Sequence, residues 1–256
     1  MKNETGYIRP EDLAEAIKAL DKMEGKVAIV CGGAFDRSAL EGADTLLDLQ
    51  NVSVEHEVSE AQVVLGPNAT LSDLLAAFED GETVKDAFAA EAGLNVRNTL
   101  SLYNFLQVAD GRSSVLALLR AMDAELVWQP GGQVISLERY LENRHVDRPG
   151  FWSKLSFNKP ECIVFESVAR TPVDKPIVAL AVARDSDGKL RVATGGVTAL
   201  TKVLQLSEGA DGREKVAQAF AQVEDTWASA QYRQHVATVL FERLIGRINH
   251  CDGGAK

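Results

Sequence analysis

The residues best placed to do chemistry sit in one short stretch, Lys26 to Asp36, reading Lys-Val-Ala-Ile-Val-Cys-Gly-Gly-Ala-Phe-Asp. An apolar, β-branched run ends at Gly32 and Gly33 and is followed by an acid. Such a run reads as a buried strand, and the glycine pair as the sharp turn at its carboxyl end. Without Cβ atoms the backbone can approach a ligand closely, and unpaired N–H groups in such a turn suit phosphate oxygens. A tight connection with no ligand satisfies the same residues, and on its own the pair favours that plainer reading. Asp36 has no partner base near it in sequence, so it reads as a turn-stabilising acid rather than a proton-transfer group.

Other chemistry is thin. The four histidines, His56, His145, His235 and His250, show no His-x-x-x-His spacing, which argues against a protein-built metal site. Cys31, Cys162 and Cys251 form no Cys-x-x-Cys pair, no zinc pattern and no even disulfide framework. Read as isolated thiols, they fit a reducing, cytoplasmic compartment. A net charge of −10 argues against DNA, RNA or an anionic membrane as partner, although a few backbone amides could still hold a phosphate. No segment reads as a signal peptide or a bilayer span, so no membrane insertion is expected.

The elements that must position the glycine turn follow from periodicity. Pro10, Glu11 and Asp12 favour a helix first turn, and Leu13, Ala16, Ile17 and Leu20 share one face, giving a helix over 7–22. Asp44 to Leu49 reads as a second strand, so a small parallel α/β unit surrounds the turn. Val52 to Val58 alternates and pairs with Gln62 to Leu65. Thr70 and Asp73 form a capping box, and helices follow over 71–78, 83–92 and 113–121. Residues 97–107 fit no template. Ala124 to Trp128 reads as a strand, and Ser136 caps a short helix. A cluster of turn formers and charges at 143–151 marks a boundary. Beyond it come strands at 163–169, 177–184 and 190–194, then helices over 213–227 and 229–250.

Several of these pieces, in this order, resemble one family: the flavin-binding (medium) subunits of the molybdenum hydroxylases, the group of carbon monoxide dehydrogenase and xanthine dehydrogenase. Val30-Cys31-Gly32-Gly33-Ala34-Phe35-Asp36 resembles the family's first flavin loop, and Leu46-Leu47-Asp48-Leu49 the strand after it. Gly93 with Val96-Arg97-Asn98 resembles its Gly-x-x-Ile-Arg-Asn segment. Gly195-Gly196-Val197 and Ser229-Ala230-Gln231-Tyr232-Arg233 resemble signatures of its C-terminal domain. The resemblance spans Tyr7 to about Arg247. It implies an α+β fold: a two-subdomain, PCMH-like FAD-binding module (1–55 and 56–150), then a small C-terminal domain of antiparallel sheet plus helices (151–256).

It further implies FAD held by Cys31, Gly32, Gly33, Ala34, Phe35, Asp36, Arg97, Asn98 and Ser101, the first loop acting largely through its amides. No residue is assigned a catalytic role. The chain would be an oxidoreductase subunit passing electrons from [2Fe–2S] centres on a small partner subunit, upstream of which a large subunit carries the molybdopterin. The sequence departs from the pattern in its second loop. Tyr103 and Asn104 stand where the family has two glycines, and Ser114 stands where it has an acid. Side chains at 103 and 104 are expected to crowd a backbone that must touch pyrophosphate. That leaves open a branch in which Tyr103 covers the cofactor, and a flavin-free structural or assembly subunit. Tyr232 and Arg233 are expected to lock the C-terminal domain, and Trp128, Trp152 and Trp227 to pack.

Overall fold

The computed structural model describes residues 6–33, 40–54, 56–78, 82–144, 150–172, 174–196, 200–206 and 212–251. The chain divides into two compact units. The first gathers residues 1–77, 94–108 and 124–157; the second gathers 78–93, 109–123 and 158–256.

In the first unit, strand β1 (Gly6–Ile8) pairs in parallel with β3 (Thr45–Asp48), which also pairs in parallel with β2 (Val27–Val30), giving the order β1-β3-β2. Helix α1 (Leu13–Lys22) begins later than the periodicity predicts. Its cap is Asp12, whose side chain accepts from the Glu15 N–H, and the extended conformation favoured before Pro10 leaves Tyr7 and Ile8 free to pair as a strand. The parallel α/β unit around the glycine turn is therefore as read from the sequence.

A five-stranded sheet completes this unit, in the order β4 (Glu57–Val58), β5 (Gln62–Leu65), β8 (Phe151–Asn158), β6 (Glu125–Gln129), β7 (Gln133–Ser136). The alternation over 52–58 yields only the two-residue β4, because Leu49–Asn51 is a 3-10 turn that ends the preceding strand. Helix α2 (Leu71–Ala76) carries the Thr70–Asp73 capping box. The unassigned stretch 97–107 resolves into α4 (Leu94–Arg97) and α5 (Leu102–Val108), and α7 (Leu137–Asn143) starts at the Ser136 cap.

The second unit is built on an antiparallel sheet, β12 (Lys202–Leu206), β11 (Leu190–Gly195), β10 (Val178–Arg184), β9 (Cys162–Val168). Helices α3 (Glu82–Glu91) and α6 (Ser114–Ala121) join it from earlier in the chain, followed by α8 (Gly212–Ala219) and α9 (Ala230–His250). In α9 the residues Ala237, Leu240, Phe241, Leu244 and Ile248 face Val178, Leu180, Val182 and Phe220 in one apolar core. Helix α8 stops eight residues short of the predicted Trp227. There the Asp225 carboxylate takes the N–H groups of Trp227 and Ala228, a local bond that competes with the helix. Arg233 is fully buried and donates to the carbonyls of Ile177 and Gly196, so it locks this domain as expected. Tyr232 is instead 45% exposed.

One expectation is corrected. Cys162, at the start of β9, and Cys251, at the end of α9, form a disulfide across 89 residues, leaving Cys31 as the free thiol. Spacing could not reveal it, since only the packing of α9 on the sheet brings the two ends together. The cysteine argument for a reducing compartment therefore falls away.

Candidate functional site

Strand β2 delivers Cys31, Gly32 and Gly33 to the carboxyl end of the parallel sheet. Gly32 and Gly33 have φ values of +49° and +57°, the left-handed region that glycine tolerates best. The structure shows a second requirement. A Cβ on Gly33 would lie 2.2 Å from the Thr99 carbonyl oxygen, and one on Gly32 would lie 2.8 Å from the Gln50 side chain. Gly33 is thus demanded by a neighbouring backbone, and Gly32 by its own conformation.

The amides of the turn are also engaged. The Gly32 N–H donates to Asp48 Oδ1 at 2.9 Å, and the same oxygen accepts from the Gln50 N–H. The Tyr7 hydroxyl donates to Asp48 Oδ2 at 2.7 Å, and that bond is the main reason its pKa is raised. Asp48, 6% exposed, therefore ties β1, β3 and the turn together. The Cys31 N–H donates to Asn104 Oδ1 at 3.0 Å, and Asn104 Nδ2 donates back to the carbonyls of Cys31 at 3.2 Å and Gly32 at 2.7 Å. Nearby, Gln107 Nε2 donates to the Ile29 carbonyl at 2.8 Å.

Cys31 is buried, and burial pushes its thiol up to about 12, with the Asp48 charge adding to the effect and a hydrogen bond with Ser101 opposing it. Such a thiol is protonated at neutral pH and is no nucleophile. Ser101, 4% exposed, accepts from the Asn104 N–H at 3.3 Å. Asn98 is exposed and accepts from the Ser72 hydroxyl at 2.6 Å. Arg97 closes α4, and its buried Nε has no hydrogen-bond partner among the described residues. Ala34, Phe35 and Asp36 lie outside the described residues.

The second loop is not where its departures from the family pattern implied trouble. Residues 102–108 wind into α5, and the Tyr103 ring turns into the interior, where it stacks on Trp152 with centroids 5.3 Å apart. Burial raises the Tyr103 hydroxyl well above its ordinary value, as expected of a neutral core phenol. Tyr103, 5% exposed, is thus packed as a core side chain. The first amides of α5 are spent on protein: Leu102 N–H donates to the Ala69 carbonyl, Tyr103 N–H to the Pro67 carbonyl, and Asn104 N–H to Ser101. Ser114 opens α6 in the other unit, buried, with its hydroxyl lacking a hydrogen-bond partner among the described residues.

The described residues thus bring Cys31, Gly32, Gly33, Ser101 and the Arg97–Thr99 segment into one neighbourhood. They fit an anionic ligand on one side: a glycine turn, with an arginine two residues from the carbonyl that packs on Gly33, its Nε lacking a partner. Sequence reasoning did not give roles to Asp48 and Asn104. Asp48 carried a signal, since it sits in the Leu-Leu-Asp-Leu strand. Asn104 was marked only as a side chain in place of a family glycine.

Comparisons with known proteins agree with this geometry. No curated protein matches the chain in sequence. Quinoline 2-oxidoreductase from Pseudomonas putida 86 superposes with a TM-score of 0.74 at 20% identity, over 100% of both chains. Reconstituted CO dehydrogenase from Oligotropha carboxidovorans gives 0.72 at 18% identity, over 95% of this chain and 96% of that one. Carbon monoxide dehydrogenase from Hydrogenophaga pseudoflava, in a form lacking the Mo-pyranopterin moiety of its cofactor, gives 0.68 at 19% identity, over 94% and 95%. Identities this low establish the fold alone, an α+β fold shared along the whole chain. The model of the FAD binding domain in molybdopterin dehydrogenase matches residues 3–149. That span is more than half of the chain, and the chain belongs to this family of FAD-binding domains.

Proposed function

We propose that the chain is the FAD-binding, electron-transfer subunit of a molybdenum-containing hydroxylase or dehydrogenase complex, an oxidoreductase subunit. The observation that carries this is the Gly32–Gly33 turn at the end of a parallel strand, within the span of the FAD-binding family model. In this reading residues 1–55 and 56–150 supply the flavin-binding segments and 151–256 a C-terminal domain. Gly33, with Ala34, Phe35 and Asp36 beyond it, and Arg97 would hold the diphosphate, while Cys31, Gly32, Asn98 and Ser101 shape the floor beneath it. FAD, when bound, supplies exchange between one-electron and two-electron carriers. The chain has three cysteines, fewer than the four ligands a [2Fe–2S] cluster takes, so those centres belong to a small partner subunit and the molybdopterin to a large one. No described helix is long and apolar enough to cross a membrane. A cytoplasmic location belongs to the same proposal.

The test is to denature the purified chain and measure released flavin, with reconstitution by added FAD. A colourless protein that takes up no FAD would end this reading. One observation favours a second reading, a flavin-free assembly subunit: the leading amides of α5 are consumed by Ala69, Pro67 and Ser101. Stoichiometric tight FAD would exclude that alternative.

A further inference from the structure

We propose that Asn104 is the positioning residue of the glycine turn, and that the second loop acts on the cofactor only through the first. The inference rests on the flavin reading above, and begins from a contact that joins residues 73 positions apart. Asn104 is 3% exposed, and its side-chain amide bonds both backbone polar groups of one residue, Cys31, and the carbonyl of the next. Its oxygen accepts from the Cys31 N–H, while its nitrogen donates to the Cys31 and Gly32 carbonyls. A planar amide with a donor edge and an acceptor edge is the one short side chain suited to this task, as it reproduces the pairing of a β-ladder neighbour. Aspartate keeps the acceptor and sets a negative charge against two carbonyl oxygens. Serine cannot span both edges.

The second element of the device is Thr99, whose carbonyl packs so closely on Gly33 that no Cβ fits between them. The backbone at Cys31, Gly32 and Gly33 is therefore clamped from one segment, residues 99–104, at three consecutive positions. An exposed glycine turn is costly to order, and that cost falls on ligand binding unless the protein orders the turn beforehand. A clamp of this kind keeps the backbone of Cys31, Gly32 and Gly33 in one conformation before any diphosphate arrives. The side chain that replaces a family glycine thus substitutes intramolecular order for a direct backbone contact.

The experiment compares FAD and riboflavin binding, by flavin fluorescence quenching, in the full chain and in Asn104→Ala, Asn104→Asp and Gly33→Ala. Riboflavin lacks the diphosphate, so a loss of general packing lowers both affinities together. A loss of turn geometry lowers that for FAD alone. The expected result is a roughly 10- to 100-fold weaker FAD affinity in Asn104→Ala and Asn104→Asp, with riboflavin binding unchanged. Equal losses for both ligands, or unchanged FAD affinity, would overturn the assignment. Amide hydrogen exchange at Cys31 and Gly32 is read in the same proteins without flavin. Faster exchange at Cys31 in Asn104→Ala, where the acceptor of that N–H is lost, supports the clamp, and unchanged exchange there overturns it. If the unaltered chain binds no FAD, the functional reading fails, and the exchange rates still decide whether Asn104 holds the turn.

Discussion

Arg233 offers the most demanding test of how the second unit is held. Its side chain is fully buried, with Nη1 shared between the Ile177 and Gly196 carbonyls and Nη2 placed 2.7 Å from Asp225 Oδ1. Replacing it by methionine keeps much of the volume and removes every polar contact. Two buried carbonyls then lose a charged partner, at about 1–3 kcal/mol each. Asp225 also loses one of its two arginines, though Arg112 and the Trp227 and Ala228 amides remain. The sum is about 2–6 kcal/mol, which spans the range for breaking one half of a buried ion pair. Against a usual total of about 5–15 kcal/mol, that is a large fraction. Urea denaturation gives the total, and native-state hydrogen exchange in β10 and α9 shows where it falls. Arg233→Lys should recover only part, since an ammonium cannot fork between two carbonyls and a carboxylate. Asp225→Asn combined with Arg233→Met should cost less than the two single changes added. Burial acts to raise the Asp225 pKa, but the Trp227 and Ala228 amides and Arg233 hold it below the ordinary value. Its contribution is therefore present above the unfolded carboxylate range and lost as pH falls through the folded value. A methionine variant within 1 kcal/mol of the unaltered chain, or strictly additive changes, would refute the argument.

Two further outcomes are expected. Cys31, pushed up to about 12 by burial, should resist thiol reagents in the native chain at pH 8; unfolding without reductant should expose one reactive thiol, and with reductant three, counted by mass shift. Glu91 in α3 accepts from the Ser113 hydroxyl at 2.7 Å and the Val115 N–H at 3.1 Å, yet burial holds its carboxyl above the ordinary range. The folded chain binds that proton more tightly, so this group's contribution to stability falls as pH rises from the unfolded to the folded value. Glu91→Gln should remove that slope from urea midpoints measured between pH 4 and 7.

Local signals carried much of the architecture. The Thr70, Ser136 and Ser229 caps each begin the helix that the pattern gave them, because a cap is settled within four residues. Buried strands such as Val178–Arg184 were legible as apolar runs. What escaped depends on distant partners. Strand β8 follows directly on the turn formers of 143–150, and its neighbours come from strands far back in the chain. At the site, the glycine pair was visible and its cause was not. Thr99 and Asn104 act across more than 60 residues, and a side chain at 104 looked like an obstruction until its amide was seen to grip the turn.

The way the chain is threaded has a consequence for how it is made. It passes from one unit to the other five times between Ala77 and Asn158. A single proteolytic nick in that interval leaves both fragments carrying pieces of both units, so the span matched by the family model is not an excisable module. During synthesis α3 and α6 leave the ribosome long before β9 and β10, the strands they pack on, exist. Their strand partners β9, β10 and β11 are complete only once residue 195 has emerged, while the first unit's chain ends at residue 157. Assembly is therefore interleaved, with the first unit's chain complete before that of the second.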